Sequence, residues 1–333
     1  MDAKKRIRYA ASLLMATVMA GVAERTGERE ILFPEMVALT IGLWIVDKRV
    51  WKVRGRQIVC LMTLGAVAGV CLVRYSPLPA PADFCVAFAL AGGCLLISRT
   101  TLIPLLSACM LPVLLQTDSW VYPTAVCAMS FVVVAVRKGM ERLGVRIRTD
   151  FVPADKPTGR DALRWLGMLG CVTGACLLAY GTGCPYLILP PLVVTFVEMA
   201  CSKAGFRYRP VQVFLILTAA VTIGTAARFF GCIVLHLPQY AVALFVAAAL
   251  FALFERMGKP FAPAGALAFI PMLVPAETLA WLPVQAAAGA ALFIVLALTA
   301  FMRCDRWSRA QRIFCLMPFP ARAYLGRPRR RMP

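Results

Sequence analysis

Four charged side chains sit inside or at the edge of long apolar stretches, and they are the residues most able to do chemistry. Arg228 lies within TIGTAARFFGCIV, and Arg74 closes GVCLVRY. A guanidinium presents a planar fork of donors that fits oxyanions. Glu198 sits in TFVEMA and Glu35 in FPEMVAL. An ionisable group at membrane depth is a functional-site candidate, and a carboxylate there is a candidate carrier of a coupling proton. The bland readings stand beside these. Each arginine snorkels to the outer interface, and each glutamate pairs with an arginine. Arg56 to Arg74 is 18 residues and Arg209 to Arg228 is 19. The two arginines therefore hold near-equivalent places, and they are expected to face each other across a pseudo-two-fold axis.

The stretches that must position these groups are broken by proline. FAPAGALAFIPMLVP, residues 261–275, carries Pro263, Pro271 and Pro275. TLIPLLSACMLPVLL, residues 101–115, carries Pro104 and Pro112, which precede Pro263 and Pro271 by the same 159 positions. Proline removes a backbone donor, and the freed carbonyls survive in hydrocarbon only when packed in protein or facing a wet cavity. Two such interruptions in matching parts of a chain point to a transport site. Thr26-Gly27 and Pro34 precede Thr182-Gly183 and Pro190 by a common 156. The threonines fit helix caps. The helices opening at Pro34 and at Pro190-Pro191 are expected to aim partial positive charge at a bound anion. Gly265 serves either close helix packing or the substrate.

Composition fixes the class. The 333 residues are 61% hydrophobic with mean hydropathy +0.77, against roughly 45–50% apolar in soluble domains. Net charge is +20, but the basic residues lie in short loops and the C-terminal tail, so nucleic acid is not an expected partner. Thirteen cysteines and one histidine, His236, form no CxxC or metal-ligand spacing. Most cysteines lie in apolar runs, where free cysteine behaves as a small hydrophobe. Neither a nucleophile elbow nor a P-loop occurs. No catalytic residues, metal site or cofactor are expected, and the chain does not read as an enzyme.

Apolar segments fall at 8–23, 31–46, 58–74, 84–97, 101–116, 119–136, 163–180, 186–201, 210–232, 239–254, 261–275 and 278–301. If they alternate across a bilayer, 32 of the 36 Lys and Arg residues fall on one side, which places both termini in the cytoplasm. The expected fold is an all-α polytopic membrane protein of about twelve transmembrane segments. The recurring offsets divide it into two six-span repeats, 1–136 and 162–302. They are joined by a basic linker, 137–161, and followed by a basic tail, 303–333, that begins as an interfacial helix. Six spans per copy is even, so the repeats enter from the same side and are parallel.

Within the second half, KPFAPAGALAFIP (259–271) resembles the segment that names the HPP family of membrane proteins. Pro263, Ala264, Gly265 and Ala266 match it, while Lys259 to Ala262 differ from or flank the His-Pro positions. ALFVAAALFALFERMGK (243–259) and LAWLPVQAAAGAALFIVLAL (279–298) are similar to neighbouring family segments. The resemblance covers 186–300, and 31–136 in degraded form. Plastid members are implicated in nitrite transport, so it implies small-anion transport. The stretch 33–70 is also similar to the six-span unit of the fusaric-acid-resistance and aromatic-acid-exporter families, which implies organic-anion export.

The sequence thus leads to an inner-membrane transporter of small or organic anions, its site between the repeats. The candidate substrate-binding residues are Arg228, Arg74, Pro263, Gly265, Pro104, Pro34 and Pro190, with Glu198 and Glu35 for proton coupling. Expected partners are the anion and membrane lipids, and a homo-oligomer is compatible. The alternatives are an assembly subunit of a membrane complex and a membrane-embedded lipid-acting enzyme.

Overall fold

The computed structural model describes residues 3–149, 151, 153–201 and 205–302. The expected interfacial helix around Trp307, Ile313, Phe314 and Leu316, with the rest of the tail from 303, lies outside the described residues. Within them the chain is all-α and has the make-up of a polytopic membrane protein. Eight helices are long and apolar enough to cross a bilayer. These are α1 (Ala3–Thr26), α3 (Gly55–Tyr75), α4 (Ala80–Ser98), α6 (Val121–Arg142), α7 (Gly159–Gly181), α9 (Pro210–Ala227), α10 (Gln239–Met257) and α12 (Leu282–Leu296). α9 and α12 continue as π-helical turns, Arg228–Val234 and Ala297–Phe301. Their apolar spans run 19 to 25 residues, about 28–38 Å at helical rise, enough for a hydrocarbon core of ~30 Å.

The other four expected segments form short helices: α2 (Pro34–Thr40, then a π turn Ile41–Ile45), α5 (Pro104–Leu115), α8 (Pro190–Cys201) and α11 (Ala262–Phe269, then a 3-10 turn Ile270–Met272). Twelve residues of helix reach about 18 Å, little more than half the core. The prolines set where they begin. Each helix has proline in its first turn, where the missing N–H costs nothing. Phe33, which precedes Pro34, is extended as the proline ring requires, and Phe261, two residues before Pro263, is extended as the residue that caps α11. Every residue of α2 and α11 is buried, so the long helices shield the broken backbone from lipid.

The packing of the two halves runs in parallel. α3 packs on α5 and α6, as α9 does on α11 and α12. α2 packs on α11, as α8 does on α5, and α1 lies against α10, as α7 lies against α4. A Cβ on Gly69 of α3 would stand 2.3 Å from the Cys109 carbonyl oxygen and 3.1 Å from Pro112. A Cβ on Gly224 of α9 would stand 2.0 Å from the Ala268 oxygen and 3.0 Å from Pro271. Only glycine admits a backbone so close at each crossing. Pro112, inside α5, cannot donate to the Ala108 carbonyl one turn back. The buried Tyr122 hydroxyl of α6 donates to that oxygen instead, at 3.2 Å.

The two ends of the bundle differ. One face, called here the N-terminal face, gathers the start of α1 and the connections 46–54 and 99–103. There Arg8 donates to the Trp44 and Ile45 carbonyls at 3.2 and 3.5 Å and pairs with Asp47. Arg146, whose guanidinium burial pushes down to about 10, donates to the Val46 carbonyl at 2.9 Å. These bonds terminate α2, whose last carbonyls have no helical partner. Lys5 and the Tyr9 hydroxyl both meet Glu255 at the end of α10, at 2.6 and 2.7 Å. At the opposite face Glu24 of α1 accepts from the Gln239 and Tyr240 amides that open α10. The α4–α7 contact is built otherwise. The Trp165 ring lies on Gly92 and near Phe88, with 5.8 Å between centroids, and the Cys176 thiol donates to the Pro81 carbonyl.

Candidate functional site

The four short helices meet around one cavity. Glu35 and Ala38 of α2 line it with Pro104 and Ser107 of α5, Pro191, Val194 and Glu198 of α8, and Ala262, Pro263 and Ala266 of α11. The space open to a water centre is about 10 Å³, room for about one water. Apart from Ser107 the walls are proline, alanine and valine, and among the described residues the charged lining groups are the two carboxylates.

Those carboxylates come from different halves and have different neighbours. Glu35, in the first turn of α2, is 1% exposed. Its Oε1 accepts from the Ser107 hydroxyl, while its buried Oε2 has no partner among the described residues. Glu198, in the third turn of α8, is 5% exposed. Its Oε1 accepts from the Trp51 indole Nε1–H at 3.5 Å. A buried polar atom left without a partner is costly, and in a low-dielectric site a carboxylate oxygen draws in a proton, a water or a cation.

α5, α8 and α11 each place first-turn residues on the cavity, beside the partial positive charge of a helix N-terminus. Their first-turn amides are only partly free. Leu105 and Leu106 donate to Leu102 and Ile103 at 3.0 Å, and Leu192 donates to Leu189 at 2.8 Å. The proline nitrogens carry no hydrogen. What these helix starts offer a solute is mainly the dipole.

The sequence candidates divide in space. Pro104, Pro263, Glu35 and Glu198 line the cavity, and Pro34 and Pro190 open the helices that bear Glu35 and Pro191. Gly265 sits at the α11–α2 crossing, where a Cβ would stand 2.4 Å from Ile41 Cδ1. The arginines line no part of the cavity. Arg74 is exposed and lies 5.9 Å from the Tyr75 ring. Half-buried Arg228 donates to the Pro271 and Val274 carbonyls and so closes the far end of the α11 segment. Ser107 and Trp51 were not singled out by the sequence. A serine in an apolar run and a tryptophan in a basic loop carry no signal until the fold sets them beside a carboxylate.

Among the described residues no three His, Cys, Asp or Glu side chains converge as metal ligands would. Outside the spans, burial and the nearby Arg209 charge lower the Lys259 ammonium to about 8, at the turn that leads into α11. No protein-family model, curated protein or solved structure matches the chain.

Proposed function

We propose that the chain is a secondary transporter that carries small anions together with protons, built from two parallel six-helix repeats. The observation that carries this reading is the pair Glu35 and Glu198, one from each half, facing one small cavity among proline-opened half-helices. Broken helices meeting at mid-membrane are the architecture of transporter binding sites. The duplication is supported by the 156 and 159 offsets and by the two matching glycine–carbonyl–proline crossings. The basic residues gathered at the N-terminal face support a cytoplasmic orientation of that face in a plasma-type inner membrane.

The anion class rests on the helix dipoles and on the resemblance of 259–271 to the HPP segment. The coupling follows from charge. With both carboxylates ionised, the cavity repels an anion; with both protonated, the dipoles of α5, α8 and α11 face it alone. Proton and anion therefore occupy the site together. Room for about one water is too little for a nitrite-sized solute, so the cavity must widen before one enters.

The test is purified protein in liposomes carrying an imposed pH gradient, challenged with nitrite, formate, acetate and benzoate. Uptake of at least one anion above protein-free liposomes, driven by the gradient, is expected. E35Q and E198Q should lose the gradient-driven component. Absence of flux across the whole panel refutes the reading.

A further inference from the structure

We infer that Trp51 is the seal that closes the cavity from the N-terminal face, with the Glu198 carboxylate as its latch. The inference rests on the cavity being the transport site, and it concerns how that site is kept shut. Trp51 belongs to no helix. It lies in the connection 46–54 between α2 and α3, whose residues Asp47, Lys48 and Arg54 are exposed, yet its own side chain is 3% exposed. Its six-membered ring packs directly against Gly42, where a Cβ would stand 2.4 and 2.5 Å from two ring carbons. Its Nε1–H then reaches Glu198 at 3.5 Å. A side chain that starts on the N-terminal face and touches a cavity carboxylate stands between the two.

Gly42 and Glu198 are themselves 156 positions apart, the offset that relates Pro34 to Pro190. Where one half carries the carboxylate, the other carries no side chain, and the vacated volume is filled by the indole. The segment is fixed on both sides of Trp51. Arg8 and Arg146 hold the carbonyls of residues 44–46, and the Lys52 amide donates to Thr101 Oγ1 at 2.8 Å. The ring is thus a short plug between two anchored points. To uncover Glu198 the indole must leave Gly42 and give up its bond to Oε1.

Carboxyl modification tests this without any transport assay. A water-soluble carbodiimide activates a protonated carboxyl as an O-acylisourea. Added glycine ethyl ester then displaces the urea and leaves a stable amide. The reagents are applied to membrane vesicles holding the full chain, and the labelled peptides are read by mass spectrometry. Exposed Asp47 reports that the reagent has reached the N-terminal face. In the unaltered protein Asp47 is labelled readily and Glu198 only to a trace. W51F keeps an aromatic ring over Gly42 but loses the latch bond, so its Glu198 labelling falls between that of the unaltered protein and that of W51A. W51A, which removes the ring, and G42A, which evicts it, raise Glu198 labelling on the order of tenfold, the ratio given by about 1.4 kcal/mol of lost closure. Glu198 as unreactive in W51A as in the unaltered protein overturns the seal, and so does Glu198 as reactive as Asp47 before any substitution. Increased labelling in W51A with no anion flux in any liposome assay supports the seal and removes the transport reading alone.

Discussion

Tyr122→Phe isolates what the proline inside α5 requires of its neighbours. Pro112 leaves the Ala108 carbonyl without a helical donor, and the Tyr122 hydroxyl supplies one at 3.2 Å. Tyr122 is 3% exposed, so water has little access to replace it. Phenylalanine keeps the ring that packs edge-on against Phe33 at 6.0 Å and deletes only the donor. An unsatisfied buried carbonyl costs ~1–3 kcal/mol. The decisive comparison is a cycle with Pro112→Ala, which restores an N–H to residue 112 and lets it donate to Ala108. Loss of the Pro112 ring contact above Gly69 enters both arms of the cycle and cancels. Thermal unfolding of the four proteins in detergent should show Y122F costly while Pro112 is present and nearly neutral in the P112A background, a coupling of about 1 kcal/mol or more. Effects that add within about 0.5 kcal/mol would refute the claim that the hydroxyl stands in for the missing amide.

Gly69→Ala and Gly224→Ala should each destabilise by on the order of 1–3 kcal/mol, because their Cβ atoms meet carbonyl oxygens at 2.3 and 2.0 Å. Gly93→Ala, with nothing within 4 Å, should melt like the unaltered protein. Arg228→Met should lower the melting temperature by stripping the Pro271 and Val274 carbonyls of their donor, a cost of about 1.5–3 kcal/mol. Arg74→Met on the exposed end of α3 should change stability by no more than about 0.5 kcal/mol. Lys259 titrates near 8, below its ordinary 10.5. The unfolded chain holds this proton after the folded one has lost it, so stability should rise between these pH values. In Lys259→Met that rise should shrink, as thermal melts across the window would show. Ser107→Ala should leave gradient-driven uptake weakened but present, since Glu35 keeps its carboxylate and loses only a donor; unchanged uptake at all pH values would remove Ser107 from the site.

The prolines made the architecture legible. Pro34, Pro104, Pro190 and Pro263 mark the four short helices because a missing amide and a fixed φ have one comfortable place in a helix, its first turn. Glu35 and Glu198 were legible as well, since a carboxylate in an apolar run is conspicuous. Partnership was not legible. Arg228 announces itself by its charge, but that its partners are two main-chain carbonyls follows from the end of α11 coming alongside α9. Trp51 and Glu198 are 147 positions apart, and Ser107 and Glu35 are 72; neither distance leaves a periodic trace. The π turns ending α2, α9 and α12 have no compositional signature in an apolar run, so the sequence boundaries stop short of or run past them.

Besides the α2–α11 and α5–α8 packing around the cavity, two peripheral contacts join the halves and constrain motion unequally. Along α1 and α10, Lys5 and Tyr9 grip Glu255 at one face while Glu24 grips the first amides of α10 at the other. Sliding these helices past each other by one turn, about 5.4 Å, breaks both grips at once. Along α7 and α4 an indole over a glycine and the weak thiol contacts of Cys176 and Cys85 offer less resistance to shear. If the halves rock, α1–α10 is the spine of the book and α4–α7 the edge where its pages part.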